Sequence, residues 1–448
     1  MHIRRLLAAL AVAAVTAGTA LVAIPTPAQA GAGLPPLARL IGRQTLPAGD
    51  GWGSAGAGTT GGAAAAPDQV SVVTSRTELV AAIEGDQPKI IFVEGTIDGF
   101  EGPDGTVLSC ADLADPDYDF QAYLAAYDPA VWGRESEPAG PLEEARVRSL
   151  RNQEDQTVLS PGSNTTLIGL GGATLRHMTL LFNEADNVII RNLTVTDAFD
   201  CFPQWDPTDG ELGNWNSNWD YVSVRRGSNF WIDHNTFVTP DEEPAVFFGR
   251  KFETYDGLLD ITHTADLVTV SHNVFRDHDK LMLIGSTNNP GGGDPGRLNV
   301  TLRHNLFDGI GQRGPRMRFG QIDVYNNFYR VTVSAPSHEF GYLWGVGVES
   351  QGYMENNYFD FRGSGVDPAE VIFDWGGTVI TERGTWARTG GSGIGGPVSL
   401  LDAYNAVNDP PLGGDAGWTP TLRRGPVLPA PAVPLVVGLL AGAGKLPL

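Results

Sequence analysis

The chain has 448 residues, of which 57 are glycine and 31 proline, with 42% hydrophobic and only 18% charged residues. That mix excludes a disordered chain and a helical bundle and fits a turn-rich, strand-rich protein. A net charge of −22 excludes a general affinity for nucleic acid or an anionic membrane, so a polyanionic ligand would need a local basic groove.

Met1 to Ala30 carries Arg4 and Arg5, an apolar run and a closing A-Q-A, the layout of a cleaved secretory signal peptide. Pro25 and Pro27 oppose a membrane helix there, so the protein is expected to be secreted and extracellular. Cleavage removes two arginines and no acid, which takes the net charge from −22 to −24. Residues 31–45 read as a flexible leader, and 46–448 as one domain, with Trp52 anchoring the arm that follows the leader. Export permits a disulfide between the only two cysteines, Cys110 and Cys201. Such a bridge contributes up to ~4–5 kcal/mol in the chain-entropy model, and two buried thiols are the alternative.

Ser75-Arg76-Thr77-Glu78 has the pattern of a capping box, opening a helix through Ile83 that acts as a plug. Lys89 to Ile97 is a β-branched strand, and strands follow. From residue 164 one phrase returns: a short alternating strand, a dipeptide ending in asparagine, then a hydrophobic pair. The asparagines at 192, 235, 273, 305, 327 and 357 are 43, 38, 32, 22 and 30 residues apart. One coil therefore needs about 22 residues, and the surplus goes into loops. Uneven insertions around a minimal coil favour an all-β parallel β-helix over a β-propeller, whose blades are longer and more even. Asparagine suits its tight corners, because it tolerates the left-handed conformation and its amides can bond from coil to coil. The apolar tail, Leu428 to Leu448, is too short and proline-broken to span a membrane and is expected to pack along the β-helix.

Chemistry concentrates between Tyr255 and Gly320. Asp256 and Asp260 sit in D-G-L-L-D, and on a straight strand their Cα atoms would be ~13 Å apart. To share one ion, Gly257 must bend the chain; otherwise two ions are bound. Asp220, one coil earlier, can reach the same face. An all-oxygen set of this kind points to Ca²⁺ rather than zinc, whereas a solvated acidic face would explain D-x-x-x-D alone. Lys280, Arg313, Arg316 and Arg318 form a basic half, suited to a sugar acid. Arg316 and Arg318 share a strand face, Arg313 must reach the site from the turn before Pro315, and Arg316 is expected to salt-bridge to the acidic excess.

The motif Trp231-Ile-Asp-His234, D-G-L-L-D, D-H-D-K-L-M-L-I-G, Q-R-G-P-R-M-R-F-G and V-Y-N-N-F-Y resemble, in order and spacing, the extracellular pectate lyases of polysaccharide lyase family 1. The F-P-Q-W-D-P-T-D-G stretch and the G-T-T-G-G arm are similar to its bacterial branch. The resemblance runs from about Leu46 to Lys445. It implies a right-handed parallel β-helix with an N-terminal capping helix, cleaving polygalacturonate by β-elimination with Ca²⁺. It further implies Asp220, Asp256 and Asp260 as the primary Ca²⁺ ligands, Arg313 as the base, and Lys280 and Arg318 as substrate-binding cations. Asp209 and Asn218 match accessory calcium contacts more weakly, and Asp233 and His234 read as structural. Asp323 departs from the family, where a histidine is usual. A monomer is expected, with polygalacturonate or pectin as partner and no nucleic acid or membrane.

Other readings differ in what they require. A pectin lyase would replace the acids with a cation and need no calcium. A polygalacturonase-type hydrolase needs two close carboxylates and no arginine at the cleavage point. A silent β-helix would only bind pectin.

Overall fold

Strands too short to stand alone are stable here because each pairs with its counterpart one coil away. The computed structural model describes residues 33–333, 335–363 and 365–448, so the expected signal peptide lies outside the described residues. Eight parallel strands form one face: Val158–Leu159, Thr179–Asn183, Val222–Arg225, Leu259–Thr262, Leu283–Ile284, Arg316–Met317, Trp344–Gly347 and Ile372–Trp375. A second ladder of 18 strands bends around a corner, for example from Ser228–Asp233 to Thr236–Val238 and from Asp266–Ser271 to Val274–Lys280. The chain is a parallel β-helix, as its repeats predict.

The corner carries the asparagine ladder. Asn235 donates through its backbone N–H and its amide to Asn273 Oδ1 at 2.8 and 3.0 Å. Asn273 does the same to Asn305, Asn305 to Asn327, and Asn327 to Asn357. The ladder asparagines do not themselves take the left-handed turn. That conformation falls on the residue before each one, namely His234, His272, His304, Asn326 and Asn356, with φ between 51° and 55°. Asn192, expected as a rung, aligns instead with His234, because Arg191 pairs with Asp233; Leu193 N–H bonds to Asn235 Oδ1 in the rung position. Inside the coil the rings of Phe237, Phe275, Phe307, Tyr329 and Phe359 stack at 4.5–5.5 Å, so the register is fixed by packing as well as by amides.

The plug helix is Arg76–Ile83, with Leu79 and Ile83 buried in the core. Ser75 caps it, but Glu78 reaches back to Thr74 N rather than to Ser75, so the capping box is displaced by one residue. The leader expectation is corrected within its described part. Helix Pro36–Gly42 buries Ala38 and Ile41 against Ile90, Phe92 and Ile168, because alternating small and apolar residues give it a face to hide.

Three helices, Cys110–Leu113, Phe120–Tyr127 and Pro141–Thr157, lie between the first strands and the coils and were not expected. They brace the loop leading into Asp220. A disulfide joins Cys110 to Cys201, Arg146 donates to the Phe202 carbonyl at 2.7 Å, and Gln153 bonds to Phe199 and Cys201. The tail packs along the coils, with Val433 and Val437 against Val274, Leu306, Phe328 and Tyr358. Asp323, the departure noted above, holds the segment leading into this tail by accepting a bidentate bond from Arg423 at 2.6 and 2.9 Å. No described helix is long and apolar enough to cross a membrane.

Candidate active site

Register places the acids. Val222 pairs with Leu259 and Ser223 with Asp260, so Asp220, two residues before its strand, lies beside Gly257 one coil on. Gly257 does not take a positive φ. Its use is the missing side chain: an ideal Cβ there would lie 2.6 Å from Asp260 Oδ1 and 2.8 Å from Asp220 Oδ1. Two carboxylates thus close over bare backbone, with Asp220 accepting from Gly257 N at 3.0 Å and Asp260 from Leu283 N at 2.9 Å.

Both acids are 6% exposed, and among the described residues neither forms an ion pair; the nearby pairs are made by Asp256. Burial raises the Asp220 carboxyl well above its ordinary value, with Asp260 and Asp256 adding to it. Burial and Asp256 push Asp260 up to about 7, against the opposing pull of Arg313. Two buried, mutually repelling carboxylates without a cation are unfavourable alone and form a hard-oxygen donor set that a divalent cation would relieve.

Asp256 stands apart from this pair. Its side chain is 34% exposed and lies 3.8 Å from Lys280 Nζ and 4.0 Å from Arg313 Nη1. The trio is therefore adjacent but not closed. Among the described residues, the group whose ligand atoms all fall within 4.8 Å is Asp233, His234 and His272. That group is committed elsewhere: Asp233 accepts from Arg191, His234 and Ser271, and despite burial the charges of Arg191 and His234 hold its carboxyl well below the usual range.

The cations differ in how they are held. Lys280 ends the strand Val274–Lys280 and is ion-paired to Glu253, a partner that the motifs did not reveal. Burial opposes its charge, but Glu253 and Asp256 outweigh burial and raise its pKa, so Lys280 stays an ammonium. Arg313 occupies the turn before Pro315 with φ 61°, and its Nε is buried without a hydrogen-bond partner. Met317 is buried in the core between Arg316 and Arg318, which therefore share the outer face. Arg318 donates to Asn288 Oδ1 at 2.7 Å and to the Gly285 carbonyl; burial, then Arg316 and Arg313, lower it to about 10. Among the described residues Arg316 makes no salt bridge to the acidic excess; it stacks on Trp375, 3.7 Å from the ring centroid.

Asp209 lies exposed on the turn between the strands Gln204–Asp206 and Asn214–Asn216, bonded to Asn214 rather than to the trio. Asn218 contributes its backbone N–H to Asp200, a buried acid raised to about 6 by burial. The motifs also gave no role to His278, which burial keeps down at about 4 and which bonds to the Asp256 carbonyl at 2.6 Å. Only its place inside D-H-D-K hinted at it.

A pectate lyase family model matches residues 141–399, the stretch that holds every one of these site residues. The chain belongs to the pectate lyase family. The pectate lyase of Bacillus subtilis strain 168 is 40% identical over 413 residues, covering 91% of this chain and 94% of that protein. Pectate lyase E of Dickeya dadantii is 31% identical over 81% of each chain. Among solved structures, a thermostable pectate lyase is 42% identical with a TM-score of 0.86, covering 91% of this chain and 99% of its own. A pectate lyase bound to a hexasaccharide is 40% identical with a TM-score of 0.84 and the same coverage. The lyase fold and the β-helix expected from the repeats are thus one and the same.

Proposed function

We propose that this lyase is a secreted, Ca²⁺-dependent enzyme that cleaves polygalacturonate by β-elimination, giving 4,5-unsaturated oligogalacturonides. The observation that carries the reading is the site itself: Asp220 and Asp260 close over Gly257, with Asp256 between them and the cations Lys280 and Arg313. A relative solved with a hexasaccharide bound supports an oligosaccharide as ligand. Residues 1–30 are the export signal, 46–448 the catalytic domain, and the enzyme acts as a monomer outside the cell.

Asp220, Asp256 and Asp260 would hold Ca²⁺, which when bound supplies a Lewis-acid charge to the uronate carboxylate beside C5. Lys280 and Arg318 orient that carboxylate and stabilise the charge it gains as the proton leaves. Arg313 takes the proton from C5; the C5–H electrons form the C4–C5 double bond, and the C4–O glycosidic bond breaks with its electron pair leaving on the glycosidic oxygen, which gains a proton from solvent. A guanidinium is protonated over the ordinary pH range, so turnover by this route rises towards alkaline pH. Lys280 is the competing base, but its pairing with Glu253 and Asp256 favours a charge-holding role.

Incubation with polygalacturonate, with and without chelator, tests the reading through ultraviolet absorbance of the unsaturated product. A calcium-dependent rise is expected. Reducing ends without absorbance would mean a hydrolase, absorbance from methylated pectin despite chelator a pectin lyase, and neither signal a binding protein. Arg313→Lys is expected to lower kcat at least ~100-fold with KM little changed, as loss of a positioned base does. Loss of turnover with intact binding in Lys280→Ala alone would transfer the base to Lys280.

A further inference from the structure

A file of buried hydroxyl and imidazole groups runs to the backbone of Asp256. Asp197 N–H donates to the Tyr221 hydroxyl at 3.1 Å, Tyr221 and Thr239 hydroxyls lie 2.6 Å apart, and Thr239 Oγ1 lies 2.8 Å from His278 Nδ1. His278 Nε2 then meets the Asp256 carbonyl oxygen at 2.6 Å. Tyr221, His278 and Thr239 are 0%, 3% and 4% exposed. Chemistry gives the file one direction. A carbonyl only accepts, so Nε2 carries the hydrogen and, in the neutral ring, Nδ1 accepts. Thr239 must then donate to Nδ1 and accept from Tyr221, which in turn accepts from Asp197 N–H.

Asp256 needs such support more than its fellow acids do. Asp220 and Asp260 are buried and tied down by short bonds from Gly257 N and Leu283 N, whereas the Asp256 carboxylate is partly exposed and drawn towards Lys280 and Arg313. Its own N–H makes only a long bond, 3.4 Å, to the Trp219 carbonyl. We propose that His278, backed by Thr239 and Tyr221, is a positioning residue that fixes the Asp256 backbone so that its carboxylate can join Asp220 and Asp260 on one cation. This rests on the cation site proposed above.

Calorimetric titration of the full chain with Ca²⁺, without substrate, separates the two ideas. Wild type, Asp256→Asn, His278→Leu, His278→Gln and Thr239→Val are compared, with thermal melts to confirm folding. His278→Leu is expected to bind Ca²⁺ about ten-fold more weakly, as loss of a group that hydrogen-bonds and orients a metal ligand does. His278→Gln keeps an amide donor for Asp256 and an oxygen to accept from Thr239, so it is expected to stay close to wild type. Thr239→Val, which strips Nδ1 of its donor, falls between them. If His278→Leu fails to fold, Thr239→Val against His278→Gln decides the matter by the same ordering. Wild-type affinity in a folded His278→Leu or Thr239→Val, or a Gln variant as weak as Leu, overturns the positioning role alone. Wild type that binds no Ca²⁺, or Asp256→Asn that binds it unchanged, overturns the cation site and the positioning role with it.

Discussion

An alanine methyl at position 257 has nowhere to go, since the Asp260 and Asp220 oxygens already lie 2.6 and 2.8 Å from where its carbon would be. Gly257→Ala is therefore expected to push the two carboxylates apart, weakening Ca²⁺ binding at least ten-fold by calorimetry while the thermal midpoint moves little, because the atoms in the way are the ends of side chains rather than backbone. Unchanged affinity would mean that the acids do not share an ion. The acids and arginines of this site were legible as residue types at a spacing. What spacing could not give was the direction of each side chain: Asp256 leans to the cations, and Arg316 spends its charge on Trp375 rather than on an acid. Glu253 and Asp200 lie in none of the motifs, and His278 is only an unassigned member of D-H-D-K, because their roles exist only once loops from different coils meet.

At the scale of the coil, each ladder asparagine bonds in both directions. Asn305 accepts from Asn273 through its oxygen and donates to Asn327 and to the Val270 carbonyl. Asn305→Ala strands several of these buried partners, and is expected to cost about 2 kcal/mol or more in denaturant unfolding. A loss below ~0.5 kcal/mol would show that the ladder is incidental. The repeat was readable because H-N and N-N recur before a hydrophobic pair. Its register slipped at Asn192, where R-N-L supplies only the left-handed residue and Leu193 takes the rung. Composition alone hides that distinction, since asparagine suits both places. The three helices between the strands at 89–98 and 165–176 lie outside the repeat, and the longest, Pro141–Thr157, is marked in the sequence only by Pro141 at its start and by Glu143 and Glu144 in its first turn.

Across the whole molecule, stability depends on charges that tie coils to arms. Arg423 binds Asp323 and Glu355 and so fastens the segment leading into the tail, while His177 sits between Asp98 and Asp197 at 2.8 and 2.9 Å. Burial disfavours the His177 imidazolium, but the bonds to Asp197 and Asp98 outweigh it and raise its pKa. A raised histidine stabilises the fold fully below its unfolded pKa of about 6.5, and that contribution fades as pH climbs through the folded value. The gap in thermal midpoint between wild type and His177→Gln should thus be widest in mild acid and narrow above neutrality; a gap that widens with pH would contradict this. The overall plan was legible from the repeats and confirmed by the family match. The helix Pro36–Gly42 was not, because a Gly- and Pro-rich flank masks the few apolar residues that pin it.

The most direct measurement is an anomalous difference map from crystals of the full chain soaked in Ca²⁺ at alkaline pH. A peak coordinated by Asp220, Asp256 and Asp260, on the side that faces Arg313, is the predicted result. Density elsewhere, or none between these carboxylates at a calcium concentration that saturates product formation, would contradict the account.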